Sequence, residues 1–117
     1  MFSVVKVSPS LSAGSVVAFD PTLSMFALSS SLSTPLGVLR EDARLDEESG
    51  DWIAAVSFAG VAWALASRDI PNEGGELMVE NGAVYVDNNA DGAGIICPLP
   101  HDQETRLAGS LVMVHIR

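Results

Sequence analysis

The run from residue 52 to 66, Trp-Ile-Ala-Ala-Val-Ser-Phe-Ala-Gly-Val-Ala-Trp-Ala-Leu-Ala, constrains this chain more than any other segment. As a helix it is apolar almost all round, and a small domain can bury such a helix only at its very centre. As strand, its bulky residues alternate with small ones. Val56 and Phe58 share one parity, while Val61, Trp63 and Leu65 share the other, with Ala62, Ala64 and Ala66 between them. The parity changes at Ala59-Gly60, where glycine permits a bulge or a tight corner. The run therefore reads as two strands, or as one bent strand.

The rest of the chain carries the same signature. Residues 2–7, 15–19 and 25–28 are short and rich in β-branched or aromatic side chains, which favours strand. Residues 77–80 and 83–87 flank Asn81-Gly82, the strongest short hairpin signal, because both turn positions tolerate positive φ. Ile95-Ile96-Cys97 is a short strand ended by Pro98 and Pro100, and residues 110–116 alternate into a last strand that is apolar on nearly both faces. Ser29-Ser30-Ser31-Leu32-Ser33-Thr34-Pro35 reads as a loop, since hydroxyl side chains compete for backbone hydrogen bonds and proline removes a donor. Roughly eight or nine strands at this spacing predict an all-β fold, a small single-domain β-barrel or sandwich. Residues 1–12 are expected to form an extended N-terminal arm and residues 13–117 the β domain. Three edge-type strands in the first third are the alternative to an arm.

Charge decides which partners suit such a domain. The chain has 15 acidic residues against 6 basic ones, a formal charge of −9. Binding to a phosphate backbone draws on clustered Lys and Arg, so neither nucleic acid nor an anionic membrane surface is an expected partner. Apolar residues, at 48%, are too many for a disordered chain. The uncharged stretch 52–67 is shorter than the roughly 20 residues a helical bilayer crossing needs. The N-terminus lacks a basic start followed by an apolar block, so a soluble protein made in a cytosol is expected. Glu41, Asp42, Asp46, Glu47, Glu48 and Asp51 crowd the connector between Arg40 and Trp52. Their spacing is not that of an EF-hand loop, and they read as a solvated connector; one exposed turn or short helix is the alternative, given the helical spacing of Arg40, Glu41, Arg44 and Glu48.

Reactive motifs are absent. Cys97 is the lone cysteine, and neither His101 nor His115 belongs to a metal-ligand pair, so no metal and no cofactor are expected. Cys97, His101 and Asp102 are close in sequence, but a nucleophilic triad is recognised by its spatial geometry, and a buried thiol is the default reading. The chain holds no nucleophile elbow and no Walker loop. Gly92-Ala93-Gly94 reads as a turn. Trp52 and Trp63 could stack on a base or sugar, but with so few cations core burial is expected instead. No enzyme signal survives.

One order of motifs resembles a known family. Leu36-Gly37-Val38-Leu39 is followed by the acidic connector, by the strand pair of residues 52–62, and by Ile70-Pro71-Asn72-Glu73-Gly74-Gly75-Glu76-Leu77-Met78-Val79. Asn81-Gly82-Ala83-Val84, Asp91-Gly92-Ala93-Gly94-Ile95 and the closing Gly109-Ser110-Leu111-Val112-Met113-Val114-His115-Ile116 complete it. This order, from Leu36 to Arg117, is similar to small tailed-phage head proteins of the capsid decoration, or cement, type. It departs from them at Gly75-Glu76, where they carry glycine-aspartate, and the Ser-rich first third has no counterpart. The resemblance implies a structural virion protein with no catalytic residues. Such a protein is made in the host cytoplasm and binds the outer surface of the icosahedral head, clamping neighbouring major capsid protein subunits, often as a homotrimer. The N-terminal segment from Phe2 to Leu11, which lies outside the resemblance, is expected to serve as a capsid-binding arm carrying Phe2, Val4, Val5, Val7 and Leu11, pairing by β-augmentation. Trp52, Trp63, Met25 and Phe26 are the expected oligomer or capsid contacts. Two other readings are a β-barrel adaptor or tail-associated virion protein, and a small ligand-binding barrel whose interior is lined by Phe58, Trp63 and Tyr85.

Overall fold

The parity change in the 52–66 run is where the chain leaves one sheet and enters another. The computed structural model describes residues 2–29, 36–70, 75–87, 95–97 and 107–116. Among them the chain forms eleven strands and no helix. They are β1 (Phe2–Lys6), β2 (Val16–Asp20), β3 (Met25–Leu28), β4 (Leu36–Leu39), β5 (Arg44–Leu45), β6 (Trp52–Ser57), β7 (Gly60–Leu65), β8 (Gly75–Glu80), β9 (Ala83–Val86), β10 (Ile95–Cys97) and β11 (Leu111–Ile116). Gly60 has φ +82°, a left-handed conformation that costs glycine little, and this lets β7 depart from the line of β6. The expected hairpin is present: β8 and β9 pair from Leu77↔Val86 to Glu80↔Ala83, and Asn81 and Gly82 turn at φ +47° and +80°.

The fold is all-β, as expected, built from two antiparallel sheets. The first has the order β1-β6-β4-β2-β3, with β5 added against β6; the second has the order β7-β11-β10-β8-β9. In each, the two ends of the order meet at one parallel bridge, Val7↔Phe26 in the first and Ala66↔Val84 in the second. The second sheet repeats the first strand for strand, 58 to 60 residues further along the chain. Phe2↔Ser57 corresponds to Val61↔His115, Val16↔Val38 to Glu76↔Ile96, and Val17↔Leu28 to Leu77↔Val86. Loop hydrogen bonds repeat as well. Ser8 N–H donates to Phe26 O and Ser67 N–H to Val84 O, both at 2.8 Å, and Ser29 N–H to Val16 O and Asp87 N–H to Glu76 O, both at 3.0 Å. The molecule is a tandem repeat of one five-stranded unit, 45 Å long and 23 Å in the other two directions.

Burial follows the strand period of two. Val7, Val17, Leu39, Ala54 and Val56 fill the first unit, with Val5, Leu11, Phe26, Trp52 and Phe58 packed against them. Ala62, Ala64, Ala66, Leu77, Val79, Val84, Val112, Val114 and Ile116 fill the second. Val16, Leu36 and Val38 alternate along β2 and β4 with the first unit's own core residues, and they join the second unit's cluster. Both faces of these strands are thus used, which is why all of Leu36–Leu39 is buried. At about 1.5–3 kcal/mol for each buried Val or Leu side chain, these three contribute on the order of 5 kcal/mol to holding the units together. Backbone bonds fix the junction: Leu65 N–H to Gly14 O at 2.9 Å, Val16 N–H to Gly82 O at 2.8 Å, and Gly82 N–H to Ser29 O at 2.7 Å.

Two expectations are corrected. Residues 2–7 are not a separate arm: β1 pairs with β6 over its whole length, Val7 is buried, and Val7 N–H donates to Trp52 O at 2.9 Å. Its β-branched residues find a partner within the chain, so the folded unit starts no later than residue 2. The acidic connector is largely exposed, as expected, but it is not plain loop: it holds a short strand and one turn closed by an i+4→i bond. Arg44 and Leu45 pair with Ile53 and Trp52, and the following turn is closed on Asp46, whose O accepts Gly50 N–H and whose carboxylate accepts Glu48 N–H and Ser49 Oγ–H. The Ser-rich stretch 30–35 lies outside the described residues.

Candidate interaction face

Alternation along β7 points alanines inward and bulky side chains outward. Ala62 and Ala64 are buried in the second unit, while Val61 is 62% and Trp63 55% exposed. Leu111, on the adjacent β11, is also exposed. The first unit presents the same positions in the same way: Phe2 and Val4 of β1, which correspond to Val61 and Trp63, are 51% and 53% exposed. The outer side of the first strand of each repeat is therefore apolar.

A groove joins the two. It encloses about 480 Å³ and is lined by Ala13, Gly14, Leu39, Arg40, Ser57, Val61, Ala62, Trp63 and Leu111, so both units contribute. Arg40 follows β4, and its guanidinium lies 4.2 Å from the centroid of the Phe2 ring. Phe2, Arg40, Val61, Trp63 and Leu111 thus form one face across the repeat junction. Exposed apolar surface of this kind is the usual mark of a binding site on a folded domain.

The charges around the groove are arranged unevenly. Among the described residues, Lys6 pairs with Asp51 at 3.3 Å, Arg44 with Glu41, and Arg68 with Glu80 at 3.1 Å. Arg40 has no carboxylate partner among them, although Glu41 and Asp42 follow it directly. The reason is that both carboxylates are already engaged. Glu41 accepts Ala55 N–H at 2.8 Å as well as Arg44, and Asp42 accepts Ala13 N–H at 2.8 Å. The hydrogen bond from Ala55 N–H, with the Arg44 guanidinium second, holds the Glu41 carboxyl below the usual carboxylate range. On the other unit, Arg68 lowers Glu80 in the same way and also lies 4.0 Å over the Tyr85 ring.

The expected contact residues divide. Phe2, Val4 and Trp63 belong to the exposed face. Val5 is half-buried, Val7 is buried, and Leu11 packs in the first core. Trp52 packs against that same core, and Phe26 sits between Phe19 and Phe58 with ring centroids 5.4 and 5.3 Å away. Met25 is half-buried and its sulfur accepts Ser8 Oγ–H at 3.7 Å. Trp52 and Phe26 are partly buried, and their strand parity turns them toward the first unit's core, against which they pack. Val61, Leu111 and Arg40 were not among the expected contacts; the alternation that singles out Trp63 places Val61 beside it. The three side chains expected to line a ligand cavity are apart, Trp63 in the groove, Phe58 in the first core and Tyr85 beneath Arg68.

Cys97 lies on β10, whereas His101 and Asp102 lie outside the described residues. Among the described residues no group of three or more His, Cys, Asp or Glu is placed to hold a metal ion, and no helix is long and apolar enough to cross a membrane. No family model matches the chain, and no curated protein is significantly similar to it in sequence.

Proposed function

We propose that this chain is a structural virion protein of the capsid decoration type, which binds the outer surface of an icosahedral head through the Phe2–Trp63 face and braces neighbouring major capsid protein subunits. The observation that carries the reading is that face itself: exposed apolar side chains on β1 and β7, together with an arginine that has no carboxylate partner among the described residues, at the junction of a tandem β unit whose formal charge is −9. The motif order that resembles cement proteins supports it independently. An acidic body keeps free copies apart in solution, so that capture by a lattice is favoured over self-association. Two repeats joined by a buried junction give a brace that resists extension better than a flexible tether. The strip is the place for shape and apolar contact, with no bond made or broken.

The test is co-sedimentation of the purified chain with expanded tailed-phage heads assembled from major shell protein. Saturable binding by the natural chain is expected, with a loss of at least tenfold in affinity for Trp63→Glu at unchanged thermal stability. Truncating or charging an aromatic anchor at the centre of an interface commonly costs 2 kcal/mol or more, and about 1.4 kcal/mol is tenfold. Absence of the chain from sedimented heads at saturating concentration refutes the reading.

A further inference from the structure

Arg40 stands out within an acidic molecule. The other cations among the described residues, Lys6, Arg44 and Arg68, are each held by a carboxylate of the chain. Arg40 instead lies over an aromatic ring at the rim of a groove that is apolar on its Val61, Trp63 and Leu111 side, while the two acids that follow it are bound to backbone N–H groups of Ala55 and Ala13. A guanidinium held over an aromatic ring can still offer its fork of N–H donors to a planar acceptor. The groove beside it has the volume of a few amino-acid residues and is walled by Val61, Trp63 and Leu111.

We infer that this groove receives an apolar segment of the partner protein that carries a single carboxylate, with the carboxylate bound in the plane of Arg40 and a neighbouring apolar side chain seated against Trp63. The inference rests on the reading of the chain as a shell-binding protein and names the chemistry of the shell element it grips. Charge selects this occupant over a second copy of the chain, because two copies would bring two bodies of −9 together across the same face. An apolar wall selects it over a free inorganic anion, which would gain nothing from Trp63 and Val61. The arginine and the aromatic side chains are the residue types that dominate protein interfaces when they become desolvated together.

The test uses Arg40→Lys, which keeps the charge and supplies a primary amine, bound to expanded heads and treated with a water-soluble carbodiimide. That reagent joins an amine to a carboxylate in direct contact, forming an amide with loss of water. Peptide mass spectrometry is expected to find position 40 joined to an Asp or Glu of the major shell protein. The Lys6–Asp51 pair, at 3.3 Å, is the internal control that coupling occurred. In parallel, Arg40→Glu is expected to weaken head binding by tenfold to several hundredfold, more than Arg40→Gln does. If the Lys6–Asp51 link forms on bound chain, no link forms from position 40, and Arg40→Glu binds like the natural chain, the inference is overturned while shell binding stands. If the natural chain does not bind heads, the shell reading fails and the occupant named here fails with it.

Discussion

Two glycines in this fold are required for different reasons, and a pair of alanine substitutions separates them. Gly60 has φ +82°, and a Cβ built on it meets nothing within 4 Å. Its requirement is purely one of backbone conformation. Placing an L-residue in the left-handed region costs about 1–2 kcal/mol, partly offset by about 0.4–1 kcal/mol because alanine also restricts the unfolded chain. Gly60→Ala should therefore destabilise by at most about 1.6 kcal/mol. Gly37 is the converse case. It lies in β4 with ordinary strand geometry, but a Cβ there would overlap Val56 Cγ1 and come within 3.0 Å of Phe58 Cδ1 and Cε1. Val56 is fully buried and stiff at χ1, so neither neighbour yields easily, and overpacking of this kind costs about 1–3 kcal/mol. Urea unfolding followed by tryptophan fluorescence and far-ultraviolet circular dichroism reads both. Gly60→Asn should recover most of the Gly60 loss, because asparagine tolerates the left-handed region. Gly37→Ala should be relieved in the Val56→Ala background, giving a favourable coupling of roughly 1 kcal/mol. Equal losses for Gly60→Asn and Gly60→Ala, or strictly additive losses at positions 37 and 56, would refute this division of causes.

Two further outcomes follow from the geometry. Deleting residues 2–7 removes β1 and the buried Val7, so the shortened chain should lose its cooperative unfolding transition; a sharp, natural-like transition would show that β1 is dispensable. The Glu41 carboxyl is held below its ordinary value when folded, so its contribution is present above about pH 4.5 and is lost as pH falls through the lower folded value. Urea midpoints measured from pH 6 to pH 3 should fall less steeply for Glu41→Gln than for the natural chain, and parallel curves would deny Glu41 that role.

Much of the strand layout was legible because it depends on local pattern. The Asn81-Gly82 hairpin, the break at Gly60 and the closing strand each rest on turn chemistry or on a period of two, and both are visible in a few residues. β4 and β5 were missed. Leu36-Gly37-Val38-Leu39 has no alternation because both of its faces are buried, one in each unit, and Arg44-Leu45 is too short to show a period. The arm was misjudged because a strand's partner cannot be seen from its own residues: β1 meets β6, some fifty residues away. The tandem repeat was hidden for a related reason. Several equivalent positions keep their burial but not their identity, as in Val7 and Ala66, or Ala54 and Val112. The groove arises only where the repeats meet, so Trp63 could be singled out from its strand while Arg40 could not.

The junction between the repeats also explains why a chain made of two like units need not polymerise. The first unit docks on the second through Leu65 and Gly82, whose equivalents in the first unit are Lys6 and Ser24. A junction of this head-to-tail kind would extend indefinitely if the first unit offered the same receptor to another copy. It does not. Where Leu65 supplies apolar surface, Lys6 is held in an ion pair with Asp51. Where Gly82 leaves room for Leu28, and a Cβ would overlap Leu28 Cδ2, Ser24 carries a side chain. The docking surface is thus used once, inside the chain, and its second copy has been replaced by polar residues. What the repeats retain in common is the outer side of β1 and β7, Phe2 and Val4 in one and Val61 and Trp63 in the other. The difference at the end-to-end surface, combined with the shared apolar residues at the lateral one, is what the proposed binding through the Phe2–Trp63 face requires: association directed sideways and not end to end.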